Sequence, residues 1–499
     1  MDFNQYTPPG VYVTDESQPI VTATNAPSGL ICLVGPASGA LSNTEILNIS
    51  SASDTALAQR GIYMDPQVGP PAIAGPVVTI QSSGVSLIQD IDYVLNVTSG
   101  TGRNAVTSIT RVADGVDPSD VEVASPNGLT EADNIVITYS YADSAYFLPQ
   151  IIEDYDRAAD WYGNAFNADG SILSPLAAAS KVAFNNGATQ ILTLATDPSD
   201  GTFRTQLSTA YLKVVNDPRV ATITPLLVDG VSSTGTTNTR DDFLGYVSDL
   251  KAHCLAAEDN GFGRIGVAGA PKAYVESISE VAGSINSKRI MLAWPNDVVL
   301  SNGTNSGLEV DGCYLAVAYG ALLVVDAVNR GLTRRRVSGF RGFPEIIRAT
   351  LDETTKNSLS SSGVAVTEIN RLGQLWVRHG VTTTVTNLLE REVSLVRVAD
   401  VLYQNVQVGL DGSDLIGQPI DDEMTTRVTG VLSSVLERAV ADGLIVEWQD
   451  LKTRQLQLPT GDPTVIECKF SYRAAVPLNY ITVAFKIDLT TGTTTATTA

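Results

Sequence analysis

The middle of the chain, from residue 173 to 295, alternates between amphipathic segments of helical period and short apolar runs. Ser174 and Pro175 offer a helix cap and a first-turn proline, and Asn186-Gly187 ends that segment before the apolar run 190–195. Three further helices are predicted at 203–215, 242–258 and 272–287, followed by strands at 223–228, 264–268 and 289–294. Such units in series predict a doubly wound α/β domain with a largely parallel sheet, which the apolar run 29–35 is expected to join.

Residues 76–142 show a different pattern, with period-two alternation, turn residues and no helical period. The alternating runs are 77–80, 93–97, 121–123 and 135–139. A structureless loop of that length is improbable inside a compact domain. The segment is therefore predicted to be an antiparallel β domain inserted into the α/β domain, which then consists of 28–75 and 143–329.

Residues 330–479 are predicted to form an α+β C-terminal domain. Apolar positions recur on one face from Thr425 to Asp442, and Gly443 follows as a helix end. Strands are predicted at 444–448, 454–458 and 465–472. The longest apolar run, 313–325, is too short to span a membrane and is predicted to be a buried helix.

Both ends of the chain look like strands without a sheet. An extended N-terminal arm is predicted over 1–27, and a C-terminal strand arm with a flexible tail over 480–499. A lone amphipathic strand is unstable in water, so each arm must pair with a sheet edge in its own or another chain. Two arms on one chain permit an open helical assembly. The apolar residues predicted to pair are Val11, Tyr12, Val13, Ile481, Val483, Phe485 and Ile487.

The charge balance narrows the choice of partners. The 499 residues carry a net charge of −22, which disfavours nucleic acid and anionic membranes as partners. The N-terminus has no secretory signal pattern, so folding in a cytoplasm is expected. The four cysteines are widely spaced and are expected to be reduced and mostly buried.

Candidate chemistry is sparse. His253 and His379 are the only histidines, and neither stands in a catalytic motif. Residues 261–266 fit G-x-G-x-x-G, but they are expected to close a helix and enter a strand, the reverse of a dinucleotide site. No catalytic, cofactor or metal site is predicted, and the chain is not expected to be an enzyme.

One basic segment stands out in this acidic chain. Between 330 and 348 there are six arginines and one glutamate. The segment is either a solvated loop whose positive charge balances acidic neighbours or a docking surface for an acidic protein partner. The candidates for such a contact are Arg334, Arg335, Arg336 and Arg341.

Several short motifs follow one another in a fixed order along the chain. They are Pro9 to Val13, Ser28 to Pro36, Ala183 to Gly187, Tyr314 to Ala321, Leu359, Gly363-Val364, Gly373, Trp376, Arg378, Gly380 and Pro477 to Ile481. Taken in this order, they resemble the contractile tail sheath proteins of bacteriophages and related injection systems. Two departures from that family are the lack of an asparagine after Gly363-Val364 and the basic cluster in place of a more apolar stretch.

The resemblance implies a structural subunit. It implies a helical homopolymer of stacked hexameric rings around a tail tube, with baseplate and tail terminator proteins at its ends. It also implies that the C-terminal domain faces the tube, that the arms of neighbouring subunits pair with a sheet in that domain, and that contraction drives the tube through the bacterial envelope. The expected location is the virion tail, assembled in the host cytoplasm.

Two other classes remain open on the residues alone. The inserted β domain would suit a tail adhesin or receptor-binding protein. The doubly wound middle would suit an α/β enzyme acting on a nucleotide or sugar, although a fold by itself does not define a function.

Overall fold

The structure is a computed structural model that describes most of the chain outside its N-terminal arm. The described residues are 29–37, 41–48, 62–64, 77–87, 93–97, 102–111, 134–141, 144–197, 200–228, 240–274, 277–303, 307–421, 423–457, 461–479, 484–487 and 494–497. The predicted arm 1–27 and the predicted strand 121–123 lie outside this set.

An eight-stranded sheet forms the centre of the described fold. Its inner strands are parallel, and a short antiparallel strand closes each edge. In spatial order the strands are β17 (Leu375–Val377), β16 (Val364–Ile369), β12 (Ile290–Trp294), β11 (Ile265–Gly269), β10 (Val220–Pro225), β1 (Leu30–Gly35), β9 (Ile191–Ala195) and β8 (Gln150–Ile152).

Eleven α-helices and one 3-10 helix (Ser144–Phe147) lie within the described residues. The α-helices are α1 (Tyr155–Tyr162), α2 (Pro175–Asn185), α3 (Phe203–Val214), α4 (Arg240–Asp259), α5 (Ile278–Ile285), α6 (Gly312–Val325), α7 (Glu345–Thr350), α8 (Glu353–Ser361), α9 (Leu388–Arg391), α10 (Val393–Asp411) and α11 (Met424–Ala441).

Helices cover both faces of the large sheet. In β1, Ile31 and Leu33 pack with α2 and α6, while Cys32 and Val34 pack with α3, α4 and α5. A parallel strand covered on both faces must be apolar throughout, which is why β1 has no polar alternation. Helix α6 approaches the sheet closely, because a side chain at Gly269 would lie 2.0 Å from the Gly312 carbonyl oxygen. The mixed α/β class predicted from the sequence is confirmed, as is the place of β1 in the sheet.

Two strands of the predicted C-terminal domain belong to the large sheet instead. Strand β16 pairs in parallel with β12, from Leu292 opposite Val364 to Trp294 opposite Val366. Its residues 364–367 are all buried, so the strand needs the cover that this sheet provides. The predicted boundary at residue 330 therefore cuts through the sheet.

The small antiparallel sheets begin earlier than predicted. Strand β2 (Leu41–Asn48) pairs along its whole length with β7 (Asn134–Tyr141), which also pairs with β4 (Val77–Ile80). A second sheet contains β3 (Ile62–Met64), β6 (Gly102–Arg111) and β5 (Tyr93–Val97). The predicted start at residue 76 is therefore wrong, since the partner of β7 lies upstream of it. A third sheet joins β14 (Leu308–Asp311), β13 (Asp297–Leu300) and β15 (Phe340–Gly342).

The C-terminal part packs α10 and α11 against a hairpin of β18 (Ile445–Gln455) and β19 (Ile466–Ala474). The helix predicted at 425–442 is confirmed as α11. The separate strands predicted at 444–448 and 454–458 are one strand, because the irregularity near Asp450, with φ +56°, shifts the register without ending the pairing.

Candidate assembly interface

The β18–β19 hairpin is buried on one face only. Leu451, Ile466 and Phe470 pack towards Val428 and Leu432 of α11. The other face is exposed and polar, with the side chains of Gln449, Lys452, Arg454, Lys469, Ser471 and Arg473. This half-buried alternation is the pattern of an antiparallel sheet with one face in water.

The two strands of the hairpin are held in register by charged cross-strand pairs. Arg454 and Glu467 lie opposite each other with a 2.6 Å ion pair, and Glu447 and Arg473 do so at 3.5 Å. Exposed pairs of this kind add little stability, yet they disfavour a slipped register. The hairpin therefore presents a defined backbone to any strand that approaches it.

Both outer edges of the hairpin are open among the described residues. Strand β18 has 11 residues and β19 has 9, and neither pairs with a third described strand. The outward N–H and C=O groups of a free edge are a template for another strand. The hairpin can therefore accept one strand on each side.

The C-terminal arm contains a second, smaller hairpin. Strand β20 (Ala484–Ile487) includes Phe485 and Ile487, and it pairs with β21 (Thr494–Thr497). The flexible tail expected at the end of this arm is wrong for residues 494–497, which pair as β21, because main-chain pairing needs no apolar side chains. Ile481, Val483, Val11, Tyr12 and Val13 lie outside the described residues, so their intermolecular pairing remains a prediction.

The C-terminal arm leaves the fold at an anchored asparagine. Asn479 donates from Nδ2 to Glu392 Oε2 at 3.1 Å, and its Oδ1 accepts from Thr333 Oγ1 at 2.6 Å. Glu392 is almost fully buried and also lies 3.0 Å from His379 Nε2. The chain before residue 480 is therefore fixed to the C-terminal part, and the arm departs from a defined position.

Both histidines have structural partners. His379 pairs with Glu392, which lies thirteen positions further along the chain. No motif in the sequence indicates this partner. His253 is buried with Arg264 Nη1 3.3 Å from its Nε2. Burial, helped by the charge of Arg264, lowers the pKa of His253 to about 3, so its ring is neutral at pH 7. His253 therefore lies in the core as a neutral ring beside Arg264.

The arginine segment is divided by its contacts. Arg335 forms an ion pair with Asp326 at 2.6 Å. The Arg334 guanidinium lies 5.4 Å from the centre of the Trp376 ring, and Arg334 and Arg336 are exposed. Arg341 is exposed on β15. The segment is thus held against β17 through its backbone and to Asp326 through the Arg335 side chain, and it presents Arg334 and Arg336 to solvent.

A buried arginine joins the C-terminal helices to the large sheet. Arg289, 3% exposed, donates to Glu258 at the end of α4 and, at 2.5 Å, to Asp400 of α10. Burial alone would raise the pKa of Glu258, but hydrogen bonds and charge from Arg289 and Lys288 hold it at about 2. This pair of contacts attaches α10 to the core that carries the sheet.

The described part of the chain offers neither a metal site nor a membrane helix. It contains no cluster of three or more His, Cys, Asp or Glu side chains placed to hold a metal ion. None of its helices is both long and apolar enough to cross a membrane. Gly261 ends α4 with φ +85°, and β11 begins at Ile265, so the G-x-G-x-x-G match lies at a helix end as expected.

Comparison with known proteins shows one similar sequence of assigned role. No model of a known protein family matches the chain. Over 471 residues it is 29% identical to the tail sheath protein of Mycobacterium phage Bxz1, in a match covering 90% of this chain and 74% of the relative. The chain is similar to this tail sheath protein over most of its length. The resemblance predicted from the sequence motifs is therefore confirmed.

Two solved structures resemble this chain in fold. A chain in the cryo-EM structure of the anti-feeding prophage baseplate, 6-fold symmetrised, has a TM-score of 0.53 at 11% identity, covering 97% of this chain and all of that one. Another, from that baseplate in its contracted state, has a TM-score of 0.50 at 11% identity, covering 69% and 90%. At such identities the likeness establishes the fold alone.

Proposed function

We propose that this chain is the subunit of a contractile tail sheath that polymerises helically around an inner tube. Contraction of the sheath then drives the tube through a bacterial envelope. The observation that carries the proposal is the β18–β19 hairpin, with two open edges, in a tail sheath homologue whose ends have the pattern of two strand arms. Two edges and two arms give each subunit two donated and two accepted strands.

Strand addition suits a mesh that must change shape. Main-chain hydrogen bonds between an arm and a hairpin edge do not depend on the packing of the rest of the interface. Subunits joined this way can rotate against one another while the links persist. The fixed point at Asn479 supports this role, because the C-terminal arm would move from a defined position in each subunit.

The parts of the chain have separate roles in this proposal. Residues from about 378 to 479, with α10, α11 and the hairpin, form the tube-facing part. Exposed Arg334 and Arg336, with Arg341 on β15, supply a basic contact to the tube or to a neighbouring subunit within an acidic chain. The antiparallel sheets between 41 and 141 form a peripheral domain on the α/β domain.

A sheath subunit of this kind has several partners. They are further copies of this chain in stacked hexameric rings, a tail tube protein, and baseplate and terminator proteins at the ends. No nucleic acid, membrane insertion, cofactor or catalysis is part of the proposal. The site of action is the virion tail, after assembly in the host cytoplasm.

Electron microscopy of the purified chain in negative stain tests this proposal. A sheath subunit should form tubes or striated polysheaths. Compact fibres would instead favour an adhesin. Monodisperse particles that never assemble, in any salt or at any concentration, would contradict the proposal and favour an enzyme.

A further inference from the structure

A cavity of about 40 Å³ lies between the amino ends of three parallel strands and one face of α10. Its walls come from residues just before or at the starts of β1, β10 and β11 and from positions spaced three, four and seven apart on the helix. They include Gly29, Ala221, Gly263, Arg397, Asp400 and Gln404.

Arg397 contributes an unpaired charge to this cavity. Its side chain is 3% exposed, and neither Nη1 nor Nη2 has a hydrogen-bond partner among the described residues. The neighbouring carboxylates are already engaged, since Asp400 pairs with Arg289 and Asp326 with Arg335. Buried guanidinium groups normally use their donors, so two idle nitrogens beside a cavity point to a missing acceptor.

The pKa of Arg397 also indicates that its charge is only partly compensated. Burial lowers the pKa of Arg397 to about 10, although the charges of Asp400 and Asp326 act in the opposite direction. The nearby carboxylates therefore compensate this buried cation only in part. A further negative charge in the cavity would complete the compensation.

We infer that this cavity is a binding site for a small oxyanion, a carboxylate or phosphate group, held by Nη1 and Nη2 of Arg397. Bidentate recognition of such groups is what a planar guanidinium does best. The volume suffices for one such group and for little else. Gln404, two turns further along α10, lies at the same cavity and can donate an additional hydrogen bond.

Two sources can supply the oxyanion. Gly29 lines the cavity and stands two residues after the end of the N-terminal arm, which contains Asp15 and Glu16. A carboxylate of an arm, from the same or a neighbouring chain, is one source, and a phosphate ion from solution is the other. Both would meet the same arginine.

The test is thermal melting of the full-length chain at constant ionic strength while chloride is replaced by phosphate. The wild type should gain a saturable increase of about 2–3 °C once phosphate reaches roughly a hundred times its dissociation constant. Arg397→Met should lose the saturable part, while Arg336→Met, an exposed arginine outside the cavity, should keep it. Equal phosphate responses in the wild type and Arg397→Met, together with no larger response when Asp15 and Glu16 of the arm are changed to their amides, would overturn the inference.

A second variant keeps the test decisive if Arg397→Met does not fold. Gln404→Glu brings a carboxylate to the cavity with almost no change of shape. It should melt above the wild type in chloride and no longer respond to phosphate, because the site is already filled. A lower melting temperature than the wild type with an unchanged phosphate response would also overturn the inference.

The same measurement separates the two sources. In the double variant Asp15→Asn, Glu16→Gln, a site normally filled by the arm becomes free, so the phosphate response should grow. A site filled from solution should respond as in the wild type. Either result supports the oxyanion site, and loss of the response in this variant alone would contradict it.

Discussion

The large sheet and the β18–β19 hairpin differ in how their edges end. The eight-stranded sheet ends on both sides in antiparallel strands of three residues, β8 and β17. The hairpin consists of β18, with 11 residues, and β19, with 9 residues, and neither pairs with a third described strand. Short edge strands resist further pairing, whereas long regular ones invite it. The core is thus complete within one chain, and the hairpin is the part that another strand can extend.

The two regions also differ in what covers them. Both faces of the large sheet are buried under helices, and Arg289 fastens α10 to that core. The hairpin rests on α11 by one face and leaves the other exposed. A contractile lattice needs both properties, because rigid bodies must move while links between them persist.

Deleting an arm should have the largest effect, because it should abolish the pairing at the hairpin and leave the large sheet intact. Removal of residues 480–499 or 1–18 should abolish polymerisation, since the hairpin edges lose their incoming strands. The melting temperature of the unassembled chain should hardly change, because none of the described strands of the large sheet comes from either arm. Calorimetry and electron microscopy check the two halves of this prediction.

Two outcomes would contradict this division between the hairpin and the large sheet. A truncated chain that still makes long tubes would show that the arms are not the links. A truncated chain that melts far below the wild type would show that the arms pair within their own subunit.

Charge reversal at the basic segment should have the next largest effect. Arg334→Glu with Arg336→Glu should abolish assembly around tail tube, because contacts between exposed charges act only within about 8 Å at physiological ionic strength. Folding should be nearly unaffected, with a loss of about 1 kcal/mol or less from the Arg334 contact with Trp376. Co-sedimentation with tube at low salt measures the first effect and urea unfolding the second.

Arg335→Glu is the matched control for that experiment. It removes the ion pair with Asp326, so it should reduce stability more than the double variant does. Normal sheathing of tube by the double variant would assign Arg334 and Arg336 to a solvated loop or to contacts between sheath subunits.

Removing the peripheral sheets should test whether the core is complete without them. Replacing 38–143 by a flexible linker should leave a chain that folds and assembles, because closure entropy grows slowly with loop length. Replacing only 76–142 removes β7 and leaves β2 without its partner, so this chain should aggregate more readily. Light scattering compares the two, and misfolding of the first would make the segment part of the core.

The smallest expected effect concerns Glu258. The change Glu258→Gln should reduce the free energy of unfolding by about 2 kcal/mol at pH 7, since Arg289 loses one of its two carboxylates. The folded pKa of about 2 lies below the ordinary value of 4.5, so this contribution is complete above pH 4.5 and declines as the pH falls towards 2.

Urea unfolding at several pH values checks this directly. The difference between wild type and Glu258→Gln should shrink on acidification, and Glu437→Gln, on the exposed side of α11, should match the wild type throughout. A difference that stays constant down to pH 3 would exclude Glu258 as the source.

The elements predicted best from the sequence are those whose pattern of apolar residues matches their burial in the structure. Helix α6 is apolar on every side and is buried on every side. Helix α10 escapes prediction from the sequence, because Val393, Val396, Val398, Val401 and Val406 are β-branched residues that favour strands on local grounds. The contact with Arg289 and packing against α11 override that preference.

The site was harder to predict than the fold for a physical reason. Partners such as Glu392 for His379 and Asp326 for Arg335 are set by the way loops fold back, which no local period encodes. The membership of β16 in the large sheet likewise depends on a parallel partner far upstream, Leu292 for Val364. The arm patterns were visible because strict alternation over several residues is itself a local signal.

Backbone hydrogen exchange of the hairpin shows whether its open edges receive strands from neighbouring subunits. Amides of 445–455 and 466–474 should be measured in the unassembled chain and in the polymer, with β9 of the large sheet as the internal reference. We expect the outward amides of β18 and β19 to exchange fast in the free chain and to become strongly protected on polymerisation, while those of β9 stay protected in both. A polymer in which the hairpin amides exchange as fast as in the free chain would contradict it.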